Sequence, residues 1–274
     1  MTAFLGEPAP IPAGPGPSRQ ARLVALLYAP EQVRQRSRRI YEAMVDESPH
    51  VRTGDFAAIA AEDLERMFRL YDADFFLGRL SEMLQEDLAF PMAFRLSRRL
   101  TRAAGQTTRL VRRVQRGGRT VDQPEYEIAV STTLLFNTFR DVDREVVVGG
   151  LVCADRLEAL QRIFEHELLH LAEFLGWGRS SCSAENFHML SRRIFGHEGA
   201  RHDLVTPREQ AAATFGVRVG DAVEFDMEGS RLRGRVNRIT RRATVLVEHP
   251  SGALFTDGRR YQTFYVPLPL LRKV

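Results

Sequence analysis

Between Asp155 and Gly176 the chain places Leu157, Leu160, Phe164, Leu168, Leu171 and Leu175 at steps of three and four. Only an α-helix gathers such a series onto one face, so the spacing predicts a long helix with one buried stripe. Asp155, with Glu158 three residues on, has the form of a capping box, and Gly176 is a suitable stop. Inside this helix stands His166-Glu167-Leu168-Leu169-His170. Histidines at i and i+4 project from one flank, here shared with Ile163 and Glu173 and off the leucine stripe. Both imidazoles can therefore reach one zinc ion. Glu167, about 100° round the helix, can meet water at that ion without ligating it, as a general base requires.

A catalytic zinc usually has three protein ligands and one open position. Cys182, just before the next helical segment, offers a thiolate and is favoured. His188, one position beyond the apolar Phe187, is the alternative ligand. Glu185 and Glu173 also remain open. His197 and His202 follow the second helix at a spacing that makes no same-face pair, and are expected in surface loops.

The rest of the chain supplies a frame. Residues 1 to 18 are rich in Pro, Ala and Gly without periodicity and read as a disordered tail. Helical segments follow over Arg19 to Tyr28 and Glu31 to Met44, and Asp55 can cap a further stretch. Leu64, Met67, Phe68 and Tyr71 share another buried face. From Pro91 the pattern alternates: three runs, around Phe94 to Leu100, over RLVRRV and over Tyr126 to Ser131, predict a small antiparallel sheet with a turn at Gly117-Gly118. A second short helix spans Ala184 to Phe195. Beyond Pro207, five or so short strands broken by glycine suggest a small SH3-like barrel.

Composition narrows the classes. At 274 residues the chain is about two domains long. No apolar run reaches the roughly 20 residues of a membrane helix, and no basic-then-apolar leader opens the sequence, so a cytoplasmic location is expected. Two cysteines, Cys153 and Cys182, are too few for a disulfide scaffold.

FEHELLH (Phe164 to His170), RRIFGH (Arg192 to His197) and YDADFFLGRL (Tyr71 to Leu80) ahead of a strand-rich segment resemble the SprT-like zinc metallopeptidases. That group includes the Spartan-type proteases that digest proteins crosslinked to DNA. The resemblance covers about residues 60 to 203. It implies one zinc ion held by His166 and His170, Glu167 as catalytic base, and a protein substrate. The family's third ligand is a histidine opening the following helix; the matching register here is Ser183, with Cys182 adjacent and chemically suited. The segment after Pro207 resembles a small barrel appended in a bacterial subset. The expected architecture is thus α+β: a helical N-terminal part and a small antiparallel sheet packed on the HExxH helix over 19–205, then an all-β SH3-like barrel over 206–274.

Net charge is +4 and the isoelectric point about 9.4, carried almost wholly by arginine, with Lys273 the only lysine. Nine arginines and no acidic residue lie between Arg95 and Arg119, and Arg231 to Arg242 hold a second cluster. Arg98, Arg99, Arg112, Arg113, Arg241 and Arg242 are candidate phosphate contacts for DNA bound without sequence preference. Phe255, Tyr261, Phe264 and Tyr265 are candidate stacking faces. The alternative function is a nucleic-acid-binding protein without protease activity, its zinc structural and closed by four protein ligands.

Overall fold

The computed structural model describes residues 16–87, 92–140, 142 and 144–274, so most of the expected tail lies outside the described residues. The architecture is mixed α+β. Four helices open it: α1 (Arg19–Val24), α2 (Pro30–Glu47), α3 (Ala61–Tyr71) and α4 (Arg79–Glu86). Strands β1 (Ala93–Ser97), β2 (Gly105–Arg116) and β3 (Arg119–Ser131) follow, then α5 (Thr132–Asn137) and a small hairpin, β4 (Val146–Val148) and β5 (Leu151–Cys153). Next come α6 (Arg156–Trp177), α7 (Glu185–Leu190) and α8 (Pro207–Phe215). Five strands close the chain: β6 (Ala222–Met227), β7 (Ser230–Ile239), β8 (Ala243–Leu254), β9 (Arg260–Val266) and β10 (Arg272–Lys273). Among the described residues no helix is long and apolar enough to cross a membrane.

The helix α6 is the centre of the larger core. Asp155 Oδ1 accepts from the Glu158 amide at 2.9 Å and Asp55 Oδ1 from the Arg156 amide at 3.2 Å, so two carboxylates satisfy its first turn. Asp55 thus caps α6 rather than a helix following it in sequence. Gly176 is not the stop. The helix runs on to Trp177 and ends at Gly178, whose φ of 71° suits glycine. Gly176 lies inside, where a Cβ would sit 2.9 Å from Leu23 Cδ1, so its bareness lets α1 approach. The predicted stripe Leu157, Leu160, Phe164, Leu168, Leu171 and Leu175 is buried, but Ile163 and Glu173 are buried too, so α6 is covered on nearly every side.

The three-stranded sheet has the order β1-β3-β2. β2 and β3 form an antiparallel hairpin turning at Gly117-Gly118, with φ of 56° and 77° as a two-residue turn of this kind requires. β1, however, runs parallel to β3, which corrects the expected all-antiparallel sheet. The chain reverses between β1 and β2 and again at the hairpin, so β1 and β3 run the same way, and β3, made apolar by Ile128, Ala129 and Val130, takes the centre beside β1. β1 also ends at Ser97, before Leu100.

Two helices end in irregular turns. α3 passes into a π-turn over Asp72–Phe76 that closes at Leu77, and α7 into another over Ser191–Phe195 that closes at Gly196. The second breaks the single helix expected over 184–195. Each turn drives aromatics into one cluster: Phe195 meets Tyr71, Phe75 and Phe76 with ring centroids 5.9, 4.9 and 5.9 Å apart.

A second, smaller core gathers Val223, Phe225, Val236, Val245 and Val266 under the C-terminal sheet, whose order is β10-β6-β7-β8-β9. Among the described residues β9 does not pair with β10, so the expected SH3-like barrel is an open five-stranded sheet. The two-residue β10 is too short to carry the ladder across to β9.

Replacing Phe195 with Ala empties the middle of the aromatic cluster. The expected cost is about 3–5 kcal/mol, read as a lower urea midpoint at unchanged slope. Leu110→Ala on the exposed hairpin should change the stability by less than about 0.5 kcal/mol and leave the midpoint nearly in place.

Candidate metal centre

His166 and His170 leave α6 on one flank, with Nε2 atoms 3.1 Å apart. The segment between α6 and α7 brings Cys182 over them: its Sγ stands 3.4 Å from His166 Nε2 and 3.2 Å from His170 Nε2. All three donor atoms lie within 4.8 Å of one another. A tetrahedral zinc with Zn–N of about 2.0–2.1 Å and Zn–S of about 2.3 Å holds its ligand atoms about 3.3–3.6 Å apart. The observed separations fall within a few tenths of an ångström of that, so the donor set fits a zinc ion.

The surroundings prepare the imidazoles for this role. Ser180 Oγ donates to Glu173 Oε2 at 2.7 Å, so it accepts the Nδ1 proton of His170 across 2.6 Å. That assignment leaves the His170 Nε2 lone pair facing its neighbours, the tautomer a metal ligand needs. Phe187 backs both rings, each centroid 4.8 Å from its own. Burial lowers His166 to about 3, helped by the neighbouring His170, and lowers His170 to about 4. Both rings are therefore neutral at pH 7. Cys182 sits at the exposed rim, yet partial burial of its thiol and the nearby Glu167 push it above its ordinary value.

Glu167 is 3% exposed. Burial raises its carboxyl to about 7 against the opposing effect of Thr107, whose hydroxyl donates to Glu167 Oε2 at 2.7 Å. Thr107 lies on β2, and two residues before it Gly105 passes so close that a Cβ would stand 2.5 Å from Glu167 Oε1. A glycine in this strand is thus a clearance for the carboxylate. Together these groups face a cavity of about 380 Å³, also lined by Ala104, Val148, Ile163, Phe174 and His202.

Behind the site, Glu165 is fully buried. It accepts from Tyr71 Oη at 2.8 Å, from Arg162 Nη1 at 2.8 and 2.7 Å, and from His197 Nε2 at 2.6 Å. Burial alone would raise this carboxyl; Arg162 and His197 outweigh it and hold it below the usual range. His197 is therefore a core residue, 2% exposed, not the surface histidine its loop position predicts. His202 also leaves the solvent-exposed class: it bridges to Val148 of β4 and lines the cavity.

His188 and Glu185 are exposed and stand outside the donor group, and the Ser183 hydroxyl faces Ser181 Oγ at 2.9 Å. Glu173 supports His170 through Ser180 rather than joining the donor set. Thr107, Gly105 and Ser180 carry no motif of their own. Only the fold brings them to the site.

Compared with protein-family models, curated proteins and solved structures, the chain matches none.

The candidate phosphate contacts divide. Arg112 pairs with Glu125 at 2.8 Å and Arg113 with Asp122 at 3.6 Å across the β2–β3 hairpin. Arg98 and Arg241 line one groove from opposite ends of the chain. Arg99 and Arg242 are exposed beside them in sequence. Of the candidate stacking rings, Phe264 packs on Phe225 and Tyr261 is buried, while Tyr265 is 65% exposed.

The protonation states set an expected outcome. At pH 7 both imidazoles are neutral and the Cys182 thiol is protonated, so binding one zinc ion through a thiolate releases the thiol proton, in addition to the share that Glu167 gives up beside the cation. Calorimetry in buffers of different ionisation enthalpy should count about one more proton for the wild type than for Cys182→Ala. Ser180→Ala should weaken zinc binding about 10–100-fold by freeing the His170 ring.

Proposed function

We propose that the chain is a zinc-dependent metallopeptidase of SprT-like type, with His166, His170 and Cys182 holding the metal and Glu167 acting as general base. One observation carries this reading. Three donors converge beside a buried carboxylate at an open cavity, and among the described residues no fourth His, Cys, Asp or Glu completes the group. A catalytic zinc keeps such a position free, whereas a structural one is closed by four protein ligands. This disfavours the alternative of a structural zinc in a protein without protease activity.

When bound there, zinc supplies Lewis acidity, polarising a peptide carbonyl and acidifying water. The protein's own groups do the rest. Glu167, with a carboxyl near 7, is a stronger base than an ordinary glutamate and takes a proton at neutral pH. The same carboxyl then returns that proton to the departing amine. Thr107 holds it in place through the bond to Oε2. β2 walls the cavity and pairs only with β3 among the described residues, so its outer edge presents main-chain donors and acceptors to an extended peptide. The apolar Ala104, Val148, Ile163 and Phe174 offer room for an uncharged side chain.

Glu167→Gln should retain zinc and lose peptide hydrolysis by at least about 10²–10⁴-fold. Unchanged cleavage by that variant would remove Glu167 from the mechanism. The base works deprotonated, so kcat/KM should climb with pH. The climb should centre at or below about 7, because a nearby cation lowers the carboxyl from its metal-free value. A falling profile between pH 5 and 7 would contradict the assignment.

A further inference from the structure

A groove of about 640 Å³ lies between the two cores. One wall comes from the larger core: Arg98 just after β1, with Thr132, Thr133 and Asn137 of α5. The other comes from the C-terminal unit: Gln210 of α8, and Thr240 and Arg241 in the turn between β7 and β8. Among the described residues no aspartate or glutamate lines it.

Several arginines of the same two sequence clusters are, by contrast, neutralised by a carboxylate. Arg231 and Arg233 face Glu224 at 4.0 and 3.5 Å, and Arg235 faces Asp257 at 3.6 Å. Arg112 and Arg113 are likewise paired on the hairpin. The Arg98 and Arg241 side chains have no ion-pair partner among the described residues, and both are exposed. The Thr133 hydroxyl donates to the Arg98 carbonyl at 2.9 Å and ties that residue's backbone to α5. Thr132 Oγ1, on the same wall, is buried without a hydrogen-bond partner among the described residues.

Two guanidinium groups line this one groove, and among the described residues no carboxylate lines it with them. An anion in the groove can accept paired N–H bonds from a guanidinium group. Hydroxyl and amide groups beside arginine are the donors that phosphate oxygens take elsewhere. We infer that this groove binds a phosphate group, clasped by Arg98 from the larger unit and Arg241 from the C-terminal unit. The phosphate belongs either to a polynucleotide backbone or to a free phosphate compound, and both present the same oxygens. Because the clasp draws on both units, its occupant also ties the C-terminal sheet to the body that carries the metal centre.

The test reads binding, not hydrolysis, so it stands apart from the metallopeptidase reading. Full-length wild type, Arg98→Gln, Arg241→Gln, the double variant and a control, Arg38→Gln on α2, where Arg38 pairs with Glu42 at 2.9 Å, are titrated with three probes. These are a labelled oligothymidylate followed by fluorescence anisotropy, and ADP and inorganic phosphate followed by calorimetry. Each groove substitution should weaken the bound probe about tenfold. For the oligonucleotide, each should also lower the salt slope by about one. Arg38→Gln should bind as the wild type does. Since both groove arginines are exposed, thermal melts should not move. Loss confined to the oligonucleotide assigns the site to a polynucleotide, and loss for ADP or phosphate to a small ligand. The inference is overturned if the wild type binds none of the three at millimolar concentration. It is equally overturned if the double variant binds like the wild type, or if the control weakens as much as the groove variants.

Discussion

Three carboxylates sit almost out of water on a single helix, and the arrangement around α6 is largely the answer to that burden. Glu165, Glu167 and Glu173 are 0, 3 and 2% exposed. A buried carboxylate is costly unless it is paired or hydrogen-bonded. Each is met differently. Glu165 keeps its charge through Arg162, Tyr71 and His197, which ties α3 and the segment after α7 to the helix. Glu173 is answered by the Ser180 hydroxyl and the Ser181 amide, which pins the loop that delivers Cys182. Among the described residues Glu167 has only Thr107, and its carboxyl is the one that rises to about 7. The least compensated carboxylate is the one beside the open cavity, where a proton acceptor is useful.

The same logic bears on the third donor. A thiolate gives more electron density to zinc than an imidazole does, so the metal in the proposed site is a weaker Lewis acid than one held by three histidines. A base with a raised pKa partly offsets this, because it is the better proton acceptor. Cys182 at the rim and Glu167 in the interior are thus two halves of one balance, set by how deeply each is buried.

Much of this was legible in the residues. The leucine stripe specified α6, and the i, i+4 spacing placed His166 and His170 on one flank, because helical geometry follows from the local chain. The Gly117-Gly118 turn and the hairpin strands were legible for the same reason. Gly176 misled because a glycine that ends a helix and a glycine that admits a neighbour look alike in one dimension; Leu23, far away in the chain, distinguishes them. His197 misled because a loop position predicts exposure, while its partner Glu165 lies 32 residues earlier. The parallel pairing of β1 and the open C-terminal sheet depended on which strand edges met, and alternation alone does not encode that.

The sequence by itself determined the helix, its histidine pair and the adjacent carboxylate, since these depend on residues within a few positions of one another. The tertiary structure alone decided that Cys182 rather than His188 faces them, that Thr107 and Gly105 set the environment of Glu167, and that Arg98 and Arg241 share a groove. Those outcomes rest on contacts between segments distant in the chain. Loop closure and burial arbitrate such contacts, and no local pattern records the result.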